Sequence, residues 1–264
     1  MKAPAPLPSS KTRSKKRAST IVALSILLSV FASSVADAKE KTDTNLGLWN
    51  DSARKNAIVD FVKAVTDEKS PDYVKPSERI AVFDNDGTLW CEQPNYPQVV
   101  FIVDKAKAYA QTHPEVKDKP LFKAVLDGDL AALGKAGARG SQELIGSTYH
   151  GLTVDQYSDV VTKWMESEKH PRFHQPYTSC VYQPMIEVIA YLQKHDFKNY
   201  IVSGGGAEFM RPWTEEVYDI PPERVIGSMI KLQFKDDDGQ PEIVRTMDID
   251  FICDSSQKPV AIEK

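Results

Sequence analysis

Cysteine is scarce in this sequence, and long apolar runs are missing. The 264 residues contain three cysteines, Cys91, Cys180 and Cys253, and no two of them have zinc-type spacing. One pair could form a disulfide, but the spacing does not select which pair. The apolar run Ile21 to Phe31 is far short of the roughly 20 residues that a helix needs to cross a bilayer. These features argue against a cysteine-based metal module and against a membrane-spanning helix.

The chain also lacks an excess of positive charge. It has 33 Lys+Arg and 37 Asp+Glu, which gives a formal net charge of −4. Basic residues outnumber acidic ones in the first 38 residues, so the remainder is more acidic than the whole. An acidic surface disfavours nucleic acid and anionic membranes as partners. A small phosphorylated substrate stays compatible with this charge, because a local site can differ from the average.

The first 38 residues have the pattern of a secretory signal peptide. Basic residues from Lys11 to Arg17 precede the apolar run, and Ala36-Asp37-Ala38 forms a small-x-small cleavage site before Lys39. We therefore expect an exported protein, periplasmic or secreted, with no stable membrane insertion after cleavage. Nothing in the sequence indicates the oligomeric state.

The remaining chain alternates strand and helix signals, which predicts an α/β fold. From Asp51 to Thr66 the apolar residues Ile58, Phe61, Val62 and Val65 fall on one helical face, which predicts an amphipathic helix packed on the core. The apolar run Arg79 to Phe83 then predicts a buried parallel strand.

The next clear strand signal, Lys198 to Ser203, comes more than a hundred residues later in the chain. A plain crossover helix needs far fewer residues, so the intervening chain must contain an inserted unit. Its pattern is helical over Val99 to Ala110 and over Leu121 to Leu133. A further helical stripe consists of Tyr157, Val160, Val161, Trp164 and Met165. We predict a discontinuous core of residues 39–95 and 175–264, with residues 96–174 inserted as a helical unit.

After the insertion, helix and strand alternate again. Pro184 suits the first turn of a helix, which leads into the strand ending at Ser203. Another strand is predicted from Val225 to Leu232. The segment Lys231 to Arg245 is broken by the turn residues Asp236 to Gly239, which predicts a hairpin.

Polar residues with catalytic potential follow both parallel strands. Asp84 and Asp86 come directly after the first strand and are followed by Gly87 and Thr88, while Ser203 ends the second strand before three glycines. Open α/β sheets place their chemistry at the carboxyl ends of their strands. A hydroxyl and backbone amides next to glycines can hold phosphate oxygens.

The Asp84-Asn-Asp86-Gly-Thr and Ser203-Gly-Gly-Gly motifs resemble the haloacid dehalogenase-like (HAD) hydrolase superfamily, and in particular its phosphoserine-phosphatase-like branch. The resemblance implies a Rossmann-like parallel sheet with a mobile helical cap. It also implies that Asp84 is the nucleophile, that Asp86 is the general acid and base, and that both bind Mg²⁺. Ser203 would bind phosphate with Gly204 and Gly205.

The family's third motif is a lysine at the start of a helix. Lys258, followed by Pro259, is the best match, and Lys231 is the alternative. For the substrate, the resemblance suggests Glu92 as the acid that binds an amine, so that a phosphoserine-like substrate is possible. Arg139 could bind a substrate carboxylate.

The family's fourth motif lies on a strand after the lysine helix, but this sequence ends at Lys264. The C-terminal part of the core is therefore expected to be missing, either in a fragment or in a natural truncation. Our leading hypothesis is an exported Mg²⁺-dependent phosphomonoesterase that acts on a small phosphorylated metabolite through an aspartyl-phosphate. The alternative is a truncated, weakly active or non-catalytic homologue that binds phosphate or metal.

Overall fold

A computed structural model describes residues 46–237 and 239–264 of the chain. The predicted signal peptide, residues 1–38, lies outside the described residues. All described residues belong to one compact unit. Within this part of the chain, no helix combines the length and the apolar character that crossing a membrane requires.

The described strands form one four-stranded sheet in the order β1-β2-β3-β4. Their bounds are β1 Ile80–Phe83, β2 Lys198–Gly206, β3 Val225–Asp237 and β4 Gln240–Phe251. β1 pairs in parallel with β2, and β2 pairs in parallel with β3. β4 returns antiparallel to β3, so the predicted hairpin is confirmed, with strands longer than expected. The predicted α/β fold with a largely parallel sheet is also confirmed.

Helices precede, separate and follow these strands. Their bounds are α1 Ala53–Thr66, α2 Pro97–Thr112, α3 Pro120–Asp127, α4 Leu130–Tyr149, α5 Val154–Ser167, α6 Gln183–Lys194, α7 Ala207–Met210, α8 Thr214–Tyr218 and α9 Gln257–Glu263. Helices α2 to α5 fall between β1 and β2, in the region where the sequence predicts a helical insertion. Helix α4 has a kink at Gly137, whose φ of 60° and ψ of −155° are not helical. The division of the chain into core and cap stays a prediction.

Helix α1 corrects one sequence-based expectation. The helix begins after Ser52, whose side chain accepts a hydrogen bond from the Lys55 amide, as an N-cap does. Val62 and Val65 are buried with apolar side chains of α6. Phe61, which was expected to lie on the packed face, is 58% exposed. Ile58 and Val59 pack against the same cluster, so the packed face is centred near Val62. Phe61 is rotated about 100° from Val62 and falls at the edge of that face.

The helices inserted between β1 and β2 share a core with the helix that follows β2. The ring of Phe101 in α2 lies 5.4 Å from that of Trp164 in α5 and 5.2 Å from that of Phe209 in α7. Nearby, Trp90 and Trp213 stack with their centroids 4.5 Å apart. Aromatic contacts of this kind add to the free energy gained from area burial. The helical insertion is therefore packed directly on the edge of the sheet where β2 ends.

A buried ion pair also joins separate elements. Arg245 of β4 contacts Glu208 of α7, and the guanidinium lies 3.8 Å from the ring centroid of Tyr157 in α5. Both charged side chains are almost fully buried. Breaking such a pair by removing one partner leaves an uncompensated buried charge, so this contact holds the three elements in one arrangement.

The three cysteines are buried free thiols. The Cys91 amide donates a hydrogen bond to the Cys180 carbonyl, at 3.0 Å, beside the antiparallel bridge between Trp90 and Val181. Cys253 instead packs with Val202 and Ala261. Cys91 and Cys180 are therefore direct neighbours on adjacent segments, while Cys253 belongs to another cluster.

Gly227 of β3 lies directly against the backbone at the end of β2. A Cβ atom there would lie 2.6 Å from the Gly205 carbonyl oxygen and 2.7 Å from the Ala207 amide nitrogen. Both contacts are with backbone atoms, so neither can be relieved by rotating a side chain. Glycine at position 227 thus allows β3 to support the glycine segment that ends β2.

We predict that Gly227→Ala lowers the free energy of unfolding by about 1–3 kcal/mol, the usual cost of forcing extra volume into a packed region. The matched control is Gly134→Ala in α4, where an added Cβ has no atom within 4 Å. This control should raise stability by about 0.5–1 kcal/mol, because alanine favours the helix. Chemical denaturation measures both values. Equal stability of Gly227→Ala and wild type would contradict the close approach.

Candidate active site

The parallel pairing of β1 and β2 brings their carboxyl ends together. Phe83, the last residue of β1, is opposite Ile201 of β2. Asp84 follows Phe83 directly, and Ser203 lies two residues beyond Ile201. The two motifs predicted from the sequence therefore emerge at the same edge of the sheet.

A tight turn carries the second aspartate away from the strand. The Asn85 carbonyl accepts the Leu89 amide at 2.8 Å, and the Gly87 amide donates to the Trp90 carbonyl at 3.0 Å. Gly87 has a φ of 72°, a conformation that favours glycine. Asn85 itself is buried, and its Oδ1 accepts a hydrogen bond from the Tyr218 hydroxyl. This turn lets Asp84 and Asp86 approach one site from different backbone positions.

Asp84 forms an ion pair with the lysine that the sequence favoured. Lys258 Nζ lies 3.0 Å from Asp84 Oδ1, which also accepts the Asn85 amide at 2.9 Å. Lys258 is the second residue of α9. The alternative, Lys231, is exposed on β3 and is not among the residues that line the cavity described below. The structure thus brings Lys258, and not Lys231, to the first aspartate.

Asp86 has an unusual protonation equilibrium. Burial is the largest cause and raises the pKa of Asp86 from 3.8 to about 6. The negative charges of Asp84 and Glu92 also raise this pKa, while a 2.8 Å hydrogen bond from Trp90 Nε1 and the charge of Lys258 lower it. A carboxyl with a pKa near 6 can both give and take a proton close to neutral pH.

The glycine segment that ends β2 is held by side-chain oxygens. The Gly205 amide donates to Ser203 Oγ at 3.1 Å, and the Gly206 amide donates to Gln98 Oε1 at 2.9 Å. Ser228 Oγ donates to the Gly204 carbonyl at 2.8 Å. Because Ser203 Oγ accepts from Gly205, its hydroxyl proton can be donated to a ligand.

These residues surround a cavity of about 490 Å³. Seven predicted site residues line it: Asp84, Asp86, Glu92, Ser203, Gly204, Gly205 and Lys258. The Glu92 carboxylate accepts a hydrogen bond from the Tyr182 hydroxyl at 2.7 Å, and this bond is the main cause that raises the pKa of Tyr182 to about 12. The structure assembles these residues at one site, while their catalytic and binding roles stay predictions.

Arg139 is not brought to this cavity. Its Nε pairs with Glu143 one turn later in α4 at 3.3 Å, and the Arg139 side chain is 71% exposed. It lines a separate groove beside β4. The suggestion that Arg139 binds a substrate carboxylate is corrected for this reason: its position on α4 directs it to a groove outside the cavity.

Gln98, Gln142 and Asp254 are among the polar residues of the cavity wall that sequence reasoning missed. Asp254 Oδ1 would lie 3.4 Å from a Cβ on Gly204 and accepts the Ser255 amide at 2.8 Å. An acid four residues before Lys258 was a signal that could have indicated Asp254. The two glutamines belong to α2 and α4, and no local pattern distinguishes them from other helical glutamines.

The donor set can be compared with the needs of Mg²⁺. Within residues 46–237 and 239–264, no group of three or more His, Cys, Asp or Glu side chains is arranged to hold a metal ion. Mg²⁺ commonly binds through one or two carboxylates together with substrate phosphate and water. Asp84 and Asp86, side by side at the cavity, fit that pattern.

A family model described as haloacid dehalogenase-like hydrolase matches residues 81–250, which include the turn with both aspartates, β2 and β3, and all but one residue each of β1 and β4. The chain belongs to this hydrolase family, and the family predicted from the motifs is confirmed. A search among curated proteins finds no match to the chain.

Three solved structures resemble the fold. A phosphoserine phosphohydrolase-like protein from Francisella tularensis is 19% identical, with 70% of this chain and 71% of that chain covered and a TM-score of 0.37. A probable phosphoserine phosphatase from Vibrio cholerae is 17% identical, with 69% and 43% covered and a TM-score of 0.36. A functionally unknown protein from Anaerococcus prevotii is 14% identical, with 80% and 75% covered and a TM-score of 0.43. Likenesses this distant do not indicate a substrate.

We predict that Asp86→Asn stabilises the metal-free protein at neutral pH. The raised pKa means that the folded state holds the Asp86 proton more tightly than the unfolded state. The contribution of the Asp86 carboxyl group to the free energy of unfolding is therefore fully present below pH 3.8, and it is lost as the pH rises through about 6. Asparagine at this position keeps an oxygen that can accept the hydrogen bond from Trp90 Nε1. Its side chain carries no charge, so the cost of burying a charged group is removed.

Denaturation with chelator present should show the Asn variant more stable by roughly 1–3 kcal/mol at about pH 7.5, with the difference shrinking toward about pH 4. The exposed Asp60→Asn variant controls for removal of a surface charge. A difference between wild type and Asp86→Asn that does not change with pH would contradict the raised pKa.

Proposed function

We propose that the protein is a phosphomonoesterase that transfers the phosphoryl group of a small substrate to Asp84. The observation that carries this proposal is the ion pair between Asp84 and Lys258 beside the partly buried Asp86. Membership of a hydrolase family supports it. We further propose that the protein depends on Mg²⁺ and is exported, the latter from the signal pattern of residues 1–38.

The substrate phosphate would occupy the edge of the sheet between the two strand ends. The Ser203 hydroxyl and the Gly204 backbone amide offer donors to its oxygens, and Lys258 offers a positive charge. Mg²⁺ would be held by the Asp84 carboxylate and by the backbone carbonyl of Asp86, which leaves the Asp86 carboxyl group free to carry a proton, and the ion would offset the negative charge shared by phosphate and Asp84. Such neutralisation is needed because a phosphate dianion repels an anionic nucleophile.

Two displacements then complete the reaction. An Asp84 carboxylate oxygen forms a bond to phosphorus while the bond from phosphorus to the alcohol oxygen breaks, and the Asp86 proton passes to the leaving alcohol. Water next enters, and Asp86, now a carboxylate, takes its proton as the water oxygen displaces Asp84 from phosphorus. Inorganic phosphate leaves, and both aspartates return to their starting states.

The turnover of p-nitrophenyl phosphate with Mg²⁺ tests this proposal. We expect Asp84→Asn to lower kcat by on the order of 10³-fold or more, since the amide cannot act as the nucleophile. Asp60→Asn, at an exposed position of α1, is the control and should retain wild-type turnover. Chelation of the metal should abolish the activity of the wild type.

Turnover that survives Asp84→Asn would refute the nucleophile assignment. Binding of magnesium or phosphate by the wild type without any turnover would instead support the alternative, a non-catalytic homologue that binds phosphate or metal. Colorimetric release of p-nitrophenol and calorimetric titration distinguish these outcomes.

A further inference from the structure

Two of the three cysteines lie opposite each other on adjacent segments of the chain. Trp90 and Val181 form an antiparallel bridge, so Cys91 and Cys180, one position further along each segment, are also opposed. The Cys91 amide donates to the Cys180 carbonyl at 3.0 Å. Residues opposed in this way have Cα atoms about 4.5–5.5 Å apart. That separation lies within the roughly 4.4–6.8 Å that a disulfide spans.

The side chains of these two cysteines interact as well. Burial is the first cause that raises the pKa of Cys91 to about 12, followed by the charge of Cys180 and a hydrogen bond between the two side chains. Cys91 is 8% exposed and Cys180 is 6% exposed. Gln175 Nε2 lies 3.7 Å from Cys180 Sγ, and the Pro176 carbonyl accepts from that thiol at 3.6 Å. The two sulfur atoms therefore share one small buried site.

The third cysteine belongs to a different environment. The Cys253 amide donates to Ser228 Oγ at 3.0 Å, on the side of the sheet edge where α9 begins. Burial is the main cause that raises the pKa of Cys253. The charges that act on this thiol come from Lys258, Asp254 and Asp84. The structure thus selects the pair that the spacing of the cysteines leaves open.

We propose that Cys91 and Cys180 form an intramolecular disulfide by exchange with a small disulfide such as oxidised glutathione. The thiolate of one cysteine attacks a sulfur atom of the oxidant, whose S–S bond breaks and releases one glutathione thiol. The other cysteine then attacks the mixed disulfide and displaces the second glutathione. The protein loses two electrons and two protons, and both pass to glutathione. This inference goes beyond the proposed function and does not rest on it.

The bond would join the two ends of the helical insertion. Residues 91–180 form the loop that it closes, and this loop contains helices α2 to α5. Cys91 directly follows Trp90, whose Nε1 donates to Asp86. Cys180 lies three residues before the start of α6. The disulfide would therefore fix, beside the catalytic turn, the two connections between the sheet and the inserted helices.

Burial determines when the bond can form. The thiolate is the attacking species, and a pKa of about 12 leaves very little thiolate on Cys91 in the folded protein at neutral pH. The thiols of the unfolded chain have ordinary pKa values and are open to the oxidant. Oxidation should therefore accompany folding, and the test starts from the unfolded chain.

Disulfide mapping on the full chain tests the pairing. The protein is unfolded and reduced, and then refolded with oxidised and reduced glutathione at about pH 8, near the pKa of an unfolded thiol. Free thiols are blocked with N-ethylmaleimide before digestion with trypsin without reductant. The three cysteines fall in separate tryptic peptides, residues 80–105, 173–194 and 246–264. We expect mass spectrometry to find the first two peptides linked and the third carrying the maleimide.

Serine variants provide the matched controls for this mapping. Cys253→Ser should keep the link between the first two peptides, whereas Cys91→Ser and Cys180→Ser should each contain no disulfide within the chain. A bond that involves Cys253, a bond between two chains, or maleimide on all three wild-type cysteines overturns the pairing.

Thermal unfolding tests whether the bond holds the insertion together. Closing a long loop lowers the entropy of the unfolded chain, so the oxidised Cys253→Ser protein should have a Tm about 5–15 °C above that of its reduced form. Cys180→Ser, taken through the same oxidation, should show no such shift. Equal Tm values for the oxidised and reduced forms of Cys253→Ser would overturn the role of the bond as a cross-link. These measurements involve neither phosphate nor metal, so their outcome is independent of the phosphatase proposal.

Discussion

The parallel pairing of β1 with β2 is the constraint on which the site depends. Two strands that run in the same direction end at the same edge, so residues distant in sequence meet there. The register that places Phe83 opposite Ile201 brings Asp84 close to the segment that starts at Ser203. A slip of one residue would reverse the faces of a strand and separate these groups. The Gly227 approach and the Ser228 hydroxyl hold the β2 end from the other side.

The electrostatics of the site follow from this crowding. Lys258 compensates Asp84 directly, whereas Asp86 lies in a more buried position where ionisation is costly. Two carboxyl groups of the same type thus have different properties because their surroundings differ. The inserted helices contribute to this environment, since Gln98 at the start of α2 contacts the glycine segment directly. The inserted helices and the glycine segment that ends β2 are therefore linked through one side chain.

Much of this arrangement could be predicted from the sequence, because it depends on local patterns. Apolar runs that end in Asp84 and Ser203 identified the two strands, and Pro259 indicated the helix that carries Lys258. Other features depend on how helices pack, which no local pattern encodes. Phe61 was expected to be buried, yet α1 packs through its neighbours, and Arg139 lies in a different groove from the cavity lined by the two aspartates. The inward position of Gln98 depends likewise on tertiary contacts.

The central claim is that Asp84 accepts the phosphoryl group. Its most direct test is mass spectrometry of the protein quenched in acid during turnover, followed by proteolysis. The account predicts one added phosphoryl group on the peptide that contains Asp84. With p-nitrophenyl phosphate, whose leaving group needs no proton, more of it should accumulate in Asp86→Asn, which lacks the base for the second step. A phosphoryl group found on Ser203 instead, or on no residue at all while turnover proceeds, would contradict it.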